Sequence, residues 1–89
     1  MDIEKIKASL QTFLLRELLP GEDPAVVTYI TPLMTSGILD SIATLDLVSH
    51  LEGSYGIKVE AHEVSVEHLN TIDAIADLVL SKTSRGSPD

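Results

Sequence analysis

The segment "TSGILDSIATLDLV", Thr35 to Val48, is where a long loop becomes a helix. Asp40 is predicted to cap that helix, because its carboxylate can accept hydrogen bonds from the free N–H groups of the first turn. Apolar residues then recur at three- and four-residue spacing, which predicts a helix from Ser41 to about Tyr55. The expected inner stripe is Ile42, Leu45, Val48, Leu51 and Tyr55, with Leu47 at its margin. The cap explains Asp40 but leaves Ser41 unexplained.

Two further helical patterns flank this segment. Residues 1–19 are predicted to form a helix with the apolar stripe Ile3, Ile6, Leu10, Phe13, Leu14 and Leu18. A last helix is predicted from Thr71 to about Ser81, capped by Asn70, with Ile72, Ile75, Ala76 and Val79 facing inward. Between the helix that begins at Ser41 and the last helix, apolar and polar residues alternate at positions 57–61 as in a strand. Residues 64–69 instead suit a helical turn. We expect an extended link followed by a short helix near Val64 to Leu69.

A long connection joins the first two helices. The prolines and glycine of "LPGEDP", Leu19 to Pro24, end helix one, and the connection continues to about Leu39. It carries apolar residues that are expected to pack against the helices: Ala25, Val26, Val27, Tyr29, Ile30, Leu33 and Met34. "TYI" resembles a short strand, but Pro24 and Pro32 bracket it closely and disfavour that assignment.

These patterns predict an all-α fold: a four-helix bundle with three main helices, one short helix and a long first loop. The domain is expected to span residues 1–81. The polar segment "KTSRGSPD", residues 82–89, is expected to be a flexible tail. A chain of 89 residues suggests one small domain, and we expect a monomer.

Composition narrows the function. The net charge of -8 disfavours binding to nucleic acid or to an anionic membrane, and favours partners with basic patches. No apolar run is long enough to span a bilayer, and the start of the chain does not resemble a signal peptide, so the cytoplasm is the expected location. The chain has no Cys. His62 and His68, with Glu63 and Glu67, match no standard ligand spacing, so no metal site is predicted.

With Gly37-Ile38-Leu39-Asp40-Ser41-Ile42 at the start of a helix, the chain resembles the acyl carrier protein superfamily. The resemblance extends from about Ile3 to Val79 and includes the long loop, "LEGSYGIKVE" and "LNTIDAIADLV". It implies that 4'-phosphopantetheine from coenzyme A is attached to Ser41 through a phosphodiester, and that Asp40 is the motif acid. The arm would carry an acyl or aminoacyl group as a thioester. Gly37 and Thr44 make the pattern similar to stand-alone D-alanyl and other aminoacyl carriers.

The resemblance also implies partners: a phosphopantetheinyl transferase, an adenylating acyl or aminoacyl ligase, and a downstream acyl-accepting enzyme. Asp46 and Glu52 lie outside the predicted apolar stripe, and no Lys or Arg occurs from Glu17 to Ile57. A surface that carries only negative charge favours docking of basic partners, with Ile42 beside the serine as a further contact.

The residues around Ser41 favour a substrate over an enzyme. His50 lies more than two helical turns further along the chain, too far to activate the hydroxyl, and no catalytic triad is evident. Two alternatives remain. One is an unmodified acidic adaptor, in which Asp40 and Ser41 merely begin a helix. The other is a small hydrolase using Ser41, which the missing base and oxyanion donors disfavour.

Overall fold

The computed structural model describes residues 2–85, which form a helical bundle without β-strands in that range. The helices are α1 (Ile3–Glu17), α2 (Ser41–Tyr55), α3 (Val66–Leu69) and α4 (Ile72–Arg85). Single 3-10 turns lie at Pro24–Val26 and Ala61–Glu63. The predicted all-α class, with three main helices, one short helix and a long first loop, is confirmed. No helix among these residues is both long and apolar enough to cross a membrane.

The core is aliphatic and is organised around α4, which packs against each of the other helices. From α1 it takes Ile6, Leu10 and Leu14, and from α4 the predicted residues Ile72, Ile75, Ala76 and Val79, all of them buried. Leu47 and Leu51 of α2 and Leu69 of α3 also belong to it. The chain has only three aromatic residues, so burial of branched aliphatic side chains is the main stabilising term.

The inner stripe predicted for α2 is wrong in part. Ile42 and Leu45 are 72% and 66% exposed, whereas Leu47, expected at the margin, is fully buried. Ala43, Thr44, Leu47 and Leu51 form the buried face instead. Apolar residues occur on both sides of this helix at helical spacing, so periodicity alone supports either face.

The long loop between α1 and α2 packs on the bundle through only some of its apolar residues. Val27 and Leu33 are fully buried, while Val26 and Ile30 are 44% and 74% exposed, contrary to the expectation for these two. The Asp73 N–H donates to the Tyr29 carbonyl at 3.1 Å, which ties the middle of the loop to the start of α4.

Two predictions near α4 are corrected. The Asn70 side chain does not cap the helix: the Thr71 hydroxyl accepts from the Ala74 N–H at 3.0 Å, and Asn70 contacts the long loop. The helix also continues past the predicted end at Ser81 to Arg85, so residues 82–85 are helical. The Lys82 ammonium lies 2.7 Å from the Glu63 carboxylate, which favours the extra turn. The rest of the predicted tail, residues 86–89, lies outside the described residues, as does Met1.

Candidate functional site

Ser41 is the first residue of α2, and its side chain is exposed. Asp40 precedes it as the N-cap, and its Oδ1 accepts from the Ala43 N–H at 2.8 Å, as the sequence predicted. Within residues 2–85 the Ser41 hydroxyl takes part in no hydrogen bond. It is therefore presented to solvent at the positive end of a 15-residue helix.

The residues on both sides of Ser41 are held in place. The Thr44 hydroxyl, on a side chain only 5% exposed, donates to the Asp40 carbonyl at 2.7 Å and so satisfies a buried polar group. Leu39 is buried, and its N–H donates to the Leu33 carbonyl at 2.8 Å. Because its neighbours are anchored on either side, Ser41 has a defined position although its hydroxyl forms no hydrogen bond within residues 2–85.

Three exposed side chains lie next to Ser41 on α2, and together with it they form what we call the Ser41 face: Ser41, Ile42, Leu45 and Asp46. Ser41 and Leu45 are four residues apart, as are Ile42 and Asp46, so each pair lies one above the other on the helix surface. Two large apolar side chains next to an exposed hydroxyl are unusual on a well-packed surface and are typical of a contact site.

The predicted docking residues Asp46 and Glu52 do not lie together. Asp46 belongs to the Ser41 face, but Glu52 lies eleven residues from Ser41, about 16 Å along the helix axis. The Glu52 Oε2 accepts from the Val59 N–H at 2.9 Å and thereby stabilises the turn that follows α2. Gly56 makes that turn possible, since its φ of +65° lies in the left-handed region.

Within residues 2–85, no hydrogen bond joins the Ser41 hydroxyl to a side chain that could act as its base. His50, on the same helix, lies about 13 Å further along the axis, and His62 and His68 belong to other segments. Among residues 2–85 no three His, Asp or Glu side chains gather as metal ligands would.

A second feature, at His50, was not predicted from the sequence. The imidazole stacks on the Phe13 ring, with centroids 4.1 Å apart and planes inclined by 15°. These rings border an open cavity of about 250 Å³ that Ser9, Thr12, Arg16 and Glu17 complete. Burial lowers the pKa of His50, while the nearby Glu17 carboxylate acts in the opposite direction. The only sequence signal was Phe13, the one aromatic residue in the predicted α1 stripe.

Comparison with known proteins finds a likeness among solved structures. No protein-family model and no curated protein sequence matches this chain. A chain in a solved structure described as "Crystal structure of FAD-dependent dehydrogenase" is similar, with a TM-score of 0.73 and 33% sequence identity. The alignment covers 79% of this chain and 97% of that one, so the matched chain is the shorter of the two. The description names an enzyme, whereas the matched chain is itself a small helical unit.

Proposed function

We propose that this chain, which belongs to the same family as that short helical chain, is a carrier protein. It holds an acyl or aminoacyl group as a thioester on a phosphopantetheine arm attached to Ser41. The observation that carries the proposal is the exposed Ser41 hydroxyl, which begins a 15-residue helix, has no base within reach and adjoins an exposed apolar pair. The resemblance of the Asp40-Ser41 segment to acyl carrier proteins adds to this support.

The residues present fit such a group. The first-turn N–H groups of α2 and the helix dipole favour a phosphodiester at Ser41. Asp40 already accepts from the Ala43 N–H, so the cap does not depend on the serine hydroxyl, which stays available for modification. When bound, the arm supplies a thiol that carries the cargo. Since the chain has no Cys, no side chain competes with that thiol by exchange.

The Ser41 face provides the docking surface in this proposal. Ile42 and Leu45 are apolar anchors of the kind that dominate binding energy in interfaces, and Asp46 adds a negative charge beside them. The partners are a phosphopantetheinyl transferase, an adenylating ligase and a downstream acyl-accepting enzyme. Basic patches on these enzymes would be steered toward a chain with a net charge of -8.

Modification of Ser41 is tested by co-expressing the chain with a phosphopantetheinyl transferase and measuring the intact mass. We expect a gain of one phosphopantetheine group, which Ser41→Ala abolishes. Ser49→Ala is the matched control, because Ser49 is also an exposed serine on α2, and it should keep the gain. No gain in the wild-type chain, or a gain that persists in Ser41→Ala, contradicts the proposal.

An unmodified adaptor is the second candidate, favoured by the same exposed Ile42 and Leu45. It binds a basic partner through the Ser41 face without any arm. The two candidates differ in one variant: Ser41→Ala leaves an adaptor fully functional but inactivates a carrier. Activity of the partner pathway with wild-type protein and with Ser41→Ala separates them: retained activity in Ser41→Ala indicates an adaptor, and lost activity indicates a carrier.

The solved relative suggests a class for the downstream enzyme. Its structure is described as that of a FAD-dependent dehydrogenase. We take that enzyme class for the downstream partner of this chain, so that the carried group is a candidate substrate for oxidation by a flavoenzyme. The cargo-loaded protein is incubated with that dehydrogenase, and the mass of the carried group is followed. We expect loss of two hydrogen atoms together with flavin reduction. An unchanged mass of the bound group contradicts this extension while leaving the carrier proposal intact.

The cargo is tested separately. Gly37 and Thr44 favour an activated amino acid, so an adenylating ligase specific for an amino acid should load the modified chain. Loading only by ligases for fatty acids would contradict the aminoacyl assignment.

A further inference from the structure

The long loop that leads to Ser41 is tied to the bundle by two amide side chains. In its first half, the Gln11 Nε2 of α1 donates to the Val27 carbonyl at 2.6 Å. In its second half, Asn70, between α3 and α4, receives hydrogen bonds from the loop backbone. Both amides are partly buried, and each replaces water as the partner of backbone groups that the fold covers.

Asn70 binds three consecutive backbone N–H groups. Its side-chain Oδ1 accepts from the Met34 N–H at 2.8 Å and from the Thr35 N–H at 3.1 Å. Its main-chain carbonyl accepts from the Leu33 N–H. Because both groups facing the side chain are donors, only an acceptor can fill this position. An Asp carboxylate meets that requirement, whereas a Leu of similar size does not.

The segment held by Asn70 continues directly to Ser41. The Leu33 carbonyl accepts from the Leu39 N–H at 2.8 Å, which closes the turn from Leu33 to Leu39. Gly37, with φ of +89°, provides the reversal inside that turn. Buried Leu39 is followed by Asp40 and Ser41. The position of the helix start is therefore linked to Asn70 through hydrogen bonds in one short stretch of backbone.

We infer that Asn70 is a positioning residue for Ser41. It lies 29 residues further along the chain and acts through the Leu33–Leu39 turn, by fixing where α2 begins relative to α3 and α4. The effect of Asn70 on modification of Ser41 rests on the proposed function. Gln11 anchors the other half of the same loop, so it gives a matched control for the general loss of a loop anchor.

Three variants test the inference in the full-length chain. Asn70→Leu removes the acceptor, Asn70→Asp keeps it, and Gln11→Leu removes the other anchor. We expect kcat/KM for phosphopantetheine transfer to fall about tenfold in Asn70→Leu, because the serine is no longer held in one geometry. Asn70→Asp should stay within about twofold of wild type, and so should Gln11→Leu, although both Leu variants lose thermal stability.

A second readout does not depend on modification. We expect hydrogen exchange at the Met34 and Thr35 amides to accelerate, and the Ser41 amide resonance to shift, in Asn70→Leu but not in Asn70→Asp. If Asn70→Leu does not fold, Asn70→Ala, which also lacks the acceptor, takes its place.

The possible outcomes separate the two proposals. If wild type is not modified at all, the proposed function fails, and the Ser41 resonance alone decides the positioning role. An unmoved Ser41 resonance in Asn70→Leu overturns that role. So does an equal loss of transfer rate in Gln11→Leu, which would mean that any weakening of the loop has the same effect.

Discussion

Leu45 and Leu47 are the same residue type, two positions apart on one helix, in opposite environments. Leu47 is fully buried against the core, and Leu45 is 66% exposed next to Ser41. Burial of Leu47 stabilises the bundle, whereas Leu45 contributes no comparable burial within the described residues. An apolar side chain kept in solvent beside an exposed hydroxyl is better explained by a contact with another molecule than by folding.

Charged side chains also differ between α2 and the rest of the bundle. Among the described side chains, the salt bridges involve α1, α4 and Glu63: Lys7 lies 3.0 Å from Asp73 and 3.8 Å from Glu4, and Lys82 lies 2.7 Å from Glu63. None of them involves α2. Asp46 on the Ser41 face thus keeps its charge available to a partner, while Asp73 of α4 and Glu63 each have a lysine beside them.

The largest expected effect compares the two leucines directly. Leu47→Ala should lower the free energy of unfolding by about 3 kcal/mol, because it leaves a cavity in the core. Leu45→Ala should change it by less than about 0.5 kcal/mol, since exposed sites away from structural features tolerate truncation. Urea denaturation measures both. Equal losses in the two variants would contradict the division of α2 into two faces.

The second prediction concerns the Ser41 face itself. The double variant Ile42→Ala and Leu45→Ala should reduce kcat/KM for phosphopantetheine transfer about tenfold, since apolar anchors near an interface centre carry much of the binding energy. Its unfolding midpoint should stay close to wild type. The control is Val26→Ala with Ile30→Ala, which removes exposed apolar groups from the long loop. A similar loss in that control would mean that docking is not confined to the Ser41 face.

The third prediction separates the two carboxylates at the start of α2. Asp40→Ala removes the cap that accepts from the Ala43 N–H and should cost about 1 kcal/mol of stability. Asp46→Ala makes no comparable change to the helix, because Asp46 is exposed and forms no hydrogen bond within residues 2–85. Its effect should instead be slower loading at low salt, with the difference fading as salt screens the charge. Thermal melts and loading rates at two salt concentrations measure these effects.

The smallest expected effect is a pH dependence of folding stability, caused by His50 in the second half of α2. Burial lowers the pKa of His50 in the folded chain, so near pH 6 the unfolded chain binds more protons than the folded one. Stability should therefore decrease as pH falls from about 7.5 to about 5.5, through the usual pKa of His. His50→Phe, which keeps an aromatic ring against Phe13, should weaken this dependence. His62→Gln, at an exposed position, should leave it unchanged, and an unaltered slope in His50→Phe would contradict the assignment.

The sequence by itself determined most of the local structure. Asp40 was predictable as the start of α2, because a cap acceptor is a local requirement. The sequence left Gly53 and Gly56 as alternative ends, and the structure has Gly56 there in the left-handed conformation. The stripes of α1 and α4 were predictable because each has one clear apolar side. The same local signals placed Ser41 at a helix start without a neighbouring base.

Only the tertiary structure decided which face of α2 is buried and what Asn70 does. Both sides of α2 carry apolar residues at helical spacing, and packing against α4 selects Leu47 over Leu45. Asn70 looks like a helix cap in sequence, but the Thr71 hydroxyl takes that role and the amide binds Met34 and Thr35 instead. These partners are about 35 residues away in the chain, so no local pattern could reveal them. The physical reason is that caps and periodicity are local, whereas burial and long-range hydrogen bonds depend on how the helices assemble.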